Sequence, residues 1–375
     1  MAFKGSGTKA LIVERMALRT ILVGCGAVAG TLYRKPLQEL ERQSVLRVVA
    51  LVDSKLDHAE AMRSRFRSAS VWNDLALALQ SQQPDLTLIL SPPHLHCDQA
   101  VLALEHQSHV LCEKPMAAST AQCAEMIRVA RESKRVLAIG MIRRFFPAFA
   151  QLKTLLDTGE LGEIRSFCYR EGRVFDWDVR TPALFARQPS GGAGLLFDIG
   201  SHALDYLHWL FGDLSVVSYA DDGYDGVEAN ALLELAAPSC RGRMQLSWDS
   251  PLLCELRVTG TKGEAILRVD HLDKLAVKWK GDFQEVAVHH CYPADVRNPS
   301  LKAIAPRLYA ESIYCQLIQL VRAIELAEAP AVDGVQGQAC VSLIEAARRR
   351  ARPLDVPWLD PEQQAMHQAL HWTNA

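Results

Sequence analysis

Short apolar runs alternate with amphipathic stretches from residue 18 to about residue 145. Runs such as LRTILVG, VLRVVALVD and DLTLILS are typical of buried strands, and each is followed by a stretch whose apolar positions have helical spacing. Strands that alternate with helices of roughly ten to fifteen residues predict right-handed βαβ units and a doubly wound parallel sheet. We therefore expect an α/β domain over residues 18–147, preceded by an extension at residues 1–17.

The pattern changes after about residue 150. Runs such as LSVVSYAD, NALLELAA and RGRMQLSW follow one another without helical stretches between them, and they show partial period-two alternation. The segment TGTKGEA has the composition of a hairpin turn. An α+β domain with a mostly antiparallel sheet is therefore expected over residues 148–375, with helices at about 199–211, 308–328 and 336–351.

Composition excludes several classes of partner. The chain of 375 residues is 49% apolar and 22% charged, as in a soluble globular protein. Its formal net charge of −2 favours neither nucleic acid nor an anionic membrane surface, and no apolar run reaches the ~18 residues of a membrane span. No signal peptide is predicted, and ten scattered cysteines without a C-x-x-C pair favour free thiols in a reducing cytoplasm.

A glycine-rich turn joins the first predicted strand to the first predicted helix. In ILVGCGAVAG, Gly24, Gly26 and Ala29 have G-x-G-x-x-A spacing. The first glycine permits a tight turn, the second lets the backbone approach a pyrophosphate, and the small third residue lets helix pack on strand. Asp53 ends the next strand, where a carboxylate can bind the adenosine ribose hydroxyls and would repel a 2′-phosphate. This favours NAD, while the nearby Lys55 leaves NADP open.

Two further loops follow predicted strands, where the ligand crevice of such a sheet lies. In SPPHLHC, His96 either caps the next helix or touches the cofactor. In CEKP, Lys114 would point toward the nicotinamide and could stabilise negative charge on a substrate oxygen, unless it is a solvated lysine paired with Glu113. The residues predicted to bind the cofactor are Gly24, Gly26, Ala27, Val28, Ala29, Asp53, Ser91, Pro92, His96, Glu113 and Lys114.

The stretch FDIGSHALDYL combines two carboxylates and an imidazole with apolar residues. Asp198, His202 and Asp205 are four and three residues apart, so they would share one face of a helix that Asp198 begins. The imidazole suits removal of a hydroxyl proton, and one of the carboxylates would orient it and favour its protonated form. The alternative is a capping aspartate, a core histidine and a salt-bridged aspartate. Histidine pairs at 94/96 and 289/290 lack partners at ligand spacing, so no metal site is predicted.

Several segments, in order and approximate spacing, resemble the Gfo/Idh/MocA oxidoreductase family over roughly residues 18–355. They are GCGAVA, LCEKPMA, GMIRRFFP, GGAGLLFDIGSHALD and VTGTKGEAIL. The resemblance implies a Rossmann domain followed by an open-sheet domain whose flat face mediates homodimers or homotetramers. It also implies that Lys114, Asp198 and His202 surround the reacting carbon, and that the Lys114–Pro115 peptide bond is cis. The loop from Ser91 to His94 and the residue Ile142 depart from the family pattern, so substrate specificity does not carry over.

These features together indicate an NAD(P)-dependent dehydrogenase or reductase acting on a secondary alcohol or ketone of a sugar, cyclitol or derivative. His202 would accept the hydroxyl proton, Lys114 would stabilise the oxygen, and Asp198 would orient both. Two alternatives are an NAD-dependent glycosidase of the same family and a non-catalytic nucleotide-binding sensor. The residues predicted to line the substrate pocket are Arg143, Tyr169, Arg173, Trp177 and Arg180.

Overall fold

Six parallel strands form the first sheet of the computed structural model, which describes residues 17–174, 193–223, 227–288 and 307–354. The strand order is β3-β2-β1-β4-β5-β6, the doubly wound order predicted from the alternating pattern. The interior strands are buried almost throughout, which explains their continuous apolar runs. The strands are β1 (Leu18–Val23), β2 (Leu46–Val52), β3 (Ser70–Trp72), β4 (Leu86–Ile89), β5 (His109–Glu113) and β6 (Leu137–Gly140).

Helices connect these strands, and several begin at the capping residues that their sequences supply. The Asp74 carboxylate accepts a hydrogen bond from the Leu77 N–H, and the Ser119 hydroxyl accepts one from the Gln122 N–H, so each satisfies a donor of the first helical turn. A π-helical turn at Ala29–Tyr33 leads into the first helix. The helices are α1 (Arg34–Arg42), α2 (Leu56–Arg63), α3 (Leu75–Gln82), α4 (His96–Glu105) and α5 (Thr120–Ser133).

A second, mostly antiparallel sheet follows, as predicted. Its order is β14-β13-β12-β11-β7-β10-β9-β8-β15, and two pairs, β7 with β10 and β8 with β15, are parallel. The TGTKGEA turn joins β11 to β12, which pair antiparallel. The strands are β7 (Ile164–Gly172), β8 (Ser215–Asp221), β9 (Asn230–Ala236), β10 (Arg241–Ser247), β11 (Glu255–Gly260), β12 (Glu264–Arg268), β13 (Leu275–Lys278), β14 (Gln284–Glu285) and β15 (Ala351–Pro353).

The described part of the chain after β6 also contains the helices α6 (Pro147–Asp157), α7 (Leu195–Phe211), α8 (Arg307–Leu326) and α9 (Gly334–Arg348). Helix α7 begins three residues before Asp198, which corrects the prediction that this aspartate starts the helix. Its N-cap is Gly194, where φ is +96° and a Cβ would lie 2.2 Å from a carboxylate oxygen of Glu228. Asp198 therefore lies in the first turn of α7 without capping it, and its side chain is available for other contacts.

Helices α8 and α9 pack against the first domain, α8 on α1 and α9 on α5, and α9 also contacts α7 and β8. Tyr314 of α8 donates a hydrogen bond to Gln43 (2.6 Å), and Glu345 of α9 accepts one from the Thr120 hydroxyl (2.6 Å). The Val332 carbonyl, just before α9, accepts a hydrogen bond from the N–H of Ile139 in β6. The end of the described chain is thus packed on both domains.

The structure also bears on the cysteines and on membrane-spanning helices. The nine cysteines within the described ranges are all free, and six of them are buried. Within those same ranges, no helix combines the length and the apolar character needed to cross a membrane.

Candidate active site

The predicted cofactor and catalytic loops meet at the carboxyl edge of the first sheet. They follow β1, β2, β4, β5 and β6, and they carry Gly24, Asp53, Ser91, Lys114 and Arg143 respectively. Strands β1 and β4 are neighbours in the sheet although two strands separate them along the chain. Open α/β sheets bind their ligands at such a reversal of strand order.

The glycine loop has the shape that a dinucleotide requires. Gly24 has φ +83°, and a Cβ there would lie 2.6 Å from the Ser91 backbone nitrogen, so only glycine fits. A Cβ on Gly26 would meet no protein atom within 4 Å, which leaves open space directly in front of the first helical turn. Ala29 is fully buried and lets that turn pack on the sheet. These residues fit the pyrophosphate of a dinucleotide, held by the free N–H groups at the start of the helix.

Asp53 lies beside this loop. Its Oδ2 accepts a hydrogen bond from the Cys25 N–H and its Oδ1 accepts one from the Lys55 N–H, both at 2.8 Å. A carboxylate can accept about four hydrogen bonds, so capacity remains for ribose hydroxyls. The structure thus places the acidic residue predicted for ribose recognition next to the glycine turn.

Replacing Gly26 with alanine should separate cofactor binding from folding. We expect the free energy of unfolding to change by less than about 0.5 kcal/mol, because the new methyl group meets no protein atom. The affinity for NAD should fall by about tenfold or more, because the methyl group enters the space of the pyrophosphate. Urea denaturation and calorimetric titration with NAD would measure the two effects. Unchanged NAD affinity would contradict the assignment of this loop.

His96, which is fully buried, contacts the backbone of the loop after β4. Its Nδ1 lies 2.8 Å from the Pro115 carbonyl oxygen and its Nε2 lies 2.8 Å from the Ser91 carbonyl oxygen. Burial lowers the pKa of this imidazole, and the contacts with the two carbonyl oxygens act in the opposite direction. His96 therefore does not cap α4, whose N-cap is Leu95, and its predicted contact with the cofactor stays a prediction. Ser91 donates to Gln99, and Pro92 is exposed at the loop surface.

Glu113 is engaged by protein groups rather than by the lysine ammonium beside it. Its Oε1 accepts a hydrogen bond from the Tyr33 hydroxyl at 2.5 Å, and its Oε2 accepts one from the Lys114 N–H at 3.0 Å. Burial raises the pKa of this carboxyl group. The alternative of a solvated Lys114–Glu113 ion pair is therefore wrong.

Lys114 instead pairs with Asp198 of α7. Its Nζ lies 2.7 Å from the Asp198 Oδ1 and 3.3 Å from the Asp198 carbonyl oxygen, although the residues are 84 positions apart. The side chains are 16% and 22% exposed, so the ion pair is neither fully solvated nor sealed off. The Lys114–Pro115 peptide bond is cis, as the resemblance implies. Two groups predicted separately to be catalytic thus lie within hydrogen-bond distance.

His202, one helical turn after Asp198, is buried and neutral. Burial, together with the positive charges of Lys114 and Arg143, lowers its pKa well below the ordinary value. Among the described residues its Nδ1 has no hydrogen-bond partner. Asp198 binds Lys114 and Asp205 binds Arg144, so neither carboxylate orients the imidazole or favours its protonated form. This corrects the sequence-based expectation, and it leaves a neutral imidazole that can accept a proton.

The lowered pKa of His202 predicts the pH profile of an oxidation that uses it as the base. A group whose pKa is below its ordinary value of 6.5 stays neutral as the pH falls through 6.5. We expect kcat/KM for alcohol oxidation to stay constant from pH 8 down past 6.5 and to fall only at lower pH. Initial rates between pH 5 and pH 8 would measure this. An acidic limb with a midpoint at or above 6.5 would argue against His202 as the base.

Arg144 and Asp205 form a buried ion pair between the first domain and α7. Arg144 donates from Nε to the Asp205 Oδ2 (2.9 Å) and from Nη2 to the Oδ1 (2.6 Å), and the side chains are only 4% and 1% exposed. Arg144 belongs to the 3-10 turn Ile142–Phe145 that follows β6. The pair therefore holds α7, with Asp198 and His202, against the edge of the first sheet.

Arg143 binds a second carboxylate, Glu171 of β7. Its Nη2 lies 2.7 Å from the Glu171 Oε1 and its Nη1 lies 2.8 Å from the Oε2, while the Tyr169 hydroxyl donates to that Oε2 at 2.5 Å. Tyr169 is fully buried, so it holds this ion pair in place and does not line an open pocket, which corrects the prediction. Arg173 is exposed just after β7, and Trp177 and Arg180 lie outside the described residues.

Two residues of this region, Glu171 and Tyr309, were not predicted from the sequence. Glu171 lies between Tyr169 and Arg173 at alternate positions, so the period-two rule could have found it. Tyr309 of α8 packs against Phe146, with ring centroids 5.3 Å apart. Burial and the negative charge of Glu113 raise the pKa of Tyr309, and Arg143 and Asp198 are close enough to affect it as well. No local pattern could have indicated Tyr309, because it reaches the site only through the packing of α8.

Comparisons with known proteins agree with the fold of the two domains. Residues 18–141 match the Gfo/Idh/MocA oxidoreductase family with an NAD-binding Rossmann fold, and residues 149–266 match the C-terminal domain of that family. D-glucoside 3-dehydrogenase of Escherichia coli K12 is 34% identical over 204 residues, which are 54% of this chain and 56% of that protein. Inositol 2-dehydrogenase of Salmonella paratyphi B is 27% identical over 203 residues, 53% of this chain and 56% of that protein.

The chain thus matches a little over half the length of these curated relatives. Among solved structures, an oxidoreductase from Thermotoga maritima aligns with a TM-score of 0.76 and 19% identity, over 89% of this chain and 96% of that one. This likeness shows that the two-sheet fold is shared.

Proposed function

The chain belongs to the Gfo/Idh/MocA oxidoreductase family, and from this premise we propose that it is an NAD(P)-dependent dehydrogenase or reductase. Its substrate would be a secondary alcohol or ketone of a sugar, cyclitol or derivative. The main support for the proposal is the contact of Lys114 with Asp198, which lies one helical turn before the neutral His202. This contact lies at the edge of the first sheet where the glycine loop also lies. The dehydrogenase names of the relatives, which concern a glucoside and an inositol, support it.

The residues of the glycine loop, with Asp53 and Ser91 beside it, would hold the dinucleotide. We propose NAD rather than NADP, because a 2′-phosphate bound beside the Asp53 carboxylate would bring a second negative charge. When bound, the nicotinamide ring supplies the acceptor or donor of hydride. Residues 18–147 would then form the cofactor domain and residues 148–375 the substrate domain.

The chemistry assigned to the protein is proton transfer and charge stabilisation. In the oxidative direction the buried neutral imidazole of His202 accepts the proton of the substrate hydroxyl. The Lys114 ammonium donates a hydrogen bond to the same oxygen, where negative charge develops. Asp198 fixes the ammonium through its 2.7 Å contact. Burial, with the positive charges of Lys114 and Arg143, keeps His202 neutral and so able to accept this proton.

A substrate screen tests this proposal directly. The protein would be mixed with sugars, cyclitols and their keto forms in the presence of NAD or NADP, and the nicotinamide absorbance would be followed. Net NADH or NADPH formation from a polyol is the expected result. Sugar release without net cofactor turnover would indicate a glycosidase. Nucleotide binding without turnover of any compound, by a protein with Lys114 and His202 intact, would indicate a sensor.

We further propose that the chain forms homodimers or homotetramers through its second sheet and acts in the cytoplasm. Alternate residues on the strands, among them Leu232 and Glu234 of β9 and Arg257 of β11, are only partly buried in the single chain. A partly covered sheet face supports association with a second copy. Light scattering during gel filtration would give the mass of the assembly.

A further inference from the structure

The Arg143–Glu171 pair is a second charged feature near the proposed reacting groups, and the chemistry assigned above does not use it. Arg143 follows β6 at the sheet edge that carries Lys114, and its positive charge acts on His202. Glu171 reaches the same place from β7 of the second sheet. The side chains are 11% and 16% exposed, so both retain some surface that a ligand can contact.

The Arg143 guanidinium is already committed to a carboxylate of the protein. Both of its terminal nitrogens donate to Glu171, at 2.7 and 2.8 Å, in the bidentate geometry that arginine also uses to bind a substrate carboxylate. The buried Tyr169 hydroxyl donates to the same carboxylate and holds it in that position. A substrate carboxylate would therefore have to displace Glu171 from Arg143. Otherwise it would lie beside the negative charge of Glu171 with no free cation to pair with it.

Charge is balanced in the same way at the neighbouring cations. Lys114 pairs with Asp198, Arg144 pairs with Asp205, and the imidazole of His202 is neutral. Within the part of the chain that the structure describes, the cations Lys114, Arg143 and Arg144 are thus each matched by one carboxylate. Such a site provides hydrogen-bond donors and acceptors for the hydroxyl groups of a substrate. The carboxylate of a sugar acid would be repelled by Glu171.

We propose that Glu171, through its pairing with Arg143, is a specificity-determining residue that selects neutral polyhydroxyl substrates over sugar acids. The inference rests on the proposed function, because it assumes that the substrate binds beside Lys114 and His202. The exposed part of the Glu171 carboxylate accepts hydrogen bonds from substrate hydroxyls, since each oxygen keeps lone pairs beyond those used by Arg143 and Tyr169.

The test compares two ligands that differ only at one carbon, methyl β-D-glucopyranoside and methyl β-D-glucopyranosiduronic acid. Ligand-observed NMR titration of the protein saturated with NADH would give both Kd values for the wild type and for Glu171→Gln. The wild type should bind the glucoside about tenfold or more tightly than the uronide. Glu171→Gln removes the negative charge and frees Arg143, so the ratio should move by about tenfold or more toward the uronide.

Glu125→Gln is the matched control, because Glu125 also pairs with an arginine, Arg128, but lies at the exposed surface of α5. It should leave the ratio of the two Kd values unchanged. Equal or tighter binding of the uronide by the wild type, binding of neither ligand, or an unchanged ratio in a folded Glu171→Gln would overturn the inference. If Glu171→Gln does not fold, Glu171→Ala provides the same comparison, and equal or tighter binding of the uronide by the wild type overturns the inference without any variant.

Turnover measured in separate samples, with NAD or NADP in place of NADH, separates this inference from the proposed function. Selective binding of the glucoside without NADH or NADPH formation from any polyol would leave Glu171 as the selecting residue and would contradict the dehydrogenase proposal. Turnover of the uronide in preference to the glucoside would leave the dehydrogenase proposal in place and would contradict the role of Glu171.

Discussion

Replacing Lys114 with alanine is expected to lower kcat for the oxidised polyol by about 10²–10³-fold while changing the Kd for NAD only a few-fold. The ammonium is the group assigned to stabilise the developing oxyanion, and removal of one such donor has an effect of this size. It contacts Asp198 at 2.7 Å, and no contact of the glycine loop depends on it. Steady-state rates and calorimetric titration with NAD would measure the two quantities.

Lys274→Ala provides the control for this result. Lys274 is also a lysine paired with a carboxylate, at 3.4 Å from Glu285, but it lies at an exposed edge of the second sheet. Its replacement should leave kcat unchanged. If Lys114→Ala retained the wild-type rate, Lys114 would have no role in the reaction, even if the fold and the cofactor assignment were correct.

Replacing Asp205 with leucine is expected to lower the free energy of unfolding by about 3–5 kcal/mol, because it leaves the buried Arg144 guanidinium without its counterion. The midpoint of urea denaturation, with its slope, would measure the loss. This is the largest stability effect that we expect, since the pair joins the turn after β6 to α7.

The double variant Arg144→Met with Asp205→Leu distinguishes an unpaired charge from lost packing. Replacing both partners with apolar residues removes the uncompensated charge, so the double variant should regain most of the stability that Asp205→Leu loses. Glu125→Ala, which breaks an exposed pair with Arg128, should leave the denaturation midpoint close to that of the wild type. A double variant no more stable than the single one would show that the geometry of the pair, rather than its charge, holds α7.

The parts of this fold that could be predicted depend on contacts close in sequence. The alternation of buried strands with amphipathic helices predicted the first sheet, and consecutive short strands predicted the second, because both patterns follow from which face of an element is buried. Gly24, Gly26 and Asp53 were found for the same reason, since a turn between a strand and a helix restricts its residues locally. Helix α7 was placed correctly except for its first turn, where Gly194 rather than Asp198 is the cap.

The ion pairs of the site could not be predicted in this way. Asp198 and Asp205 share a face of one helix, yet one binds Lys114 from the end of β5 and the other binds Arg144 from the turn after β6. Helical spacing cannot say which cation each carboxylate meets, because that depends on how two domains dock. The sequence analysis therefore gave His202 a carboxylate partner, whereas its charged neighbours are the cations Lys114 and Arg143.

Helices α8 and α9 follow the second sheet in sequence but pack on the first domain, and this packing limits where the chain can be cut into separate domains. Residues 18–147 are continuous in sequence, but part of their apolar covering comes from residues 307–348. A nucleotide domain cut out at residue 147 would expose the faces of α1 and α5 to water, together with the Tyr33 hydroxyl that Gln316 now contacts at 3.2 Å. A transplanted cofactor domain would therefore have to include residues 307–348 as well as residues 18–147. The second sheet would then be an insertion between these two segments.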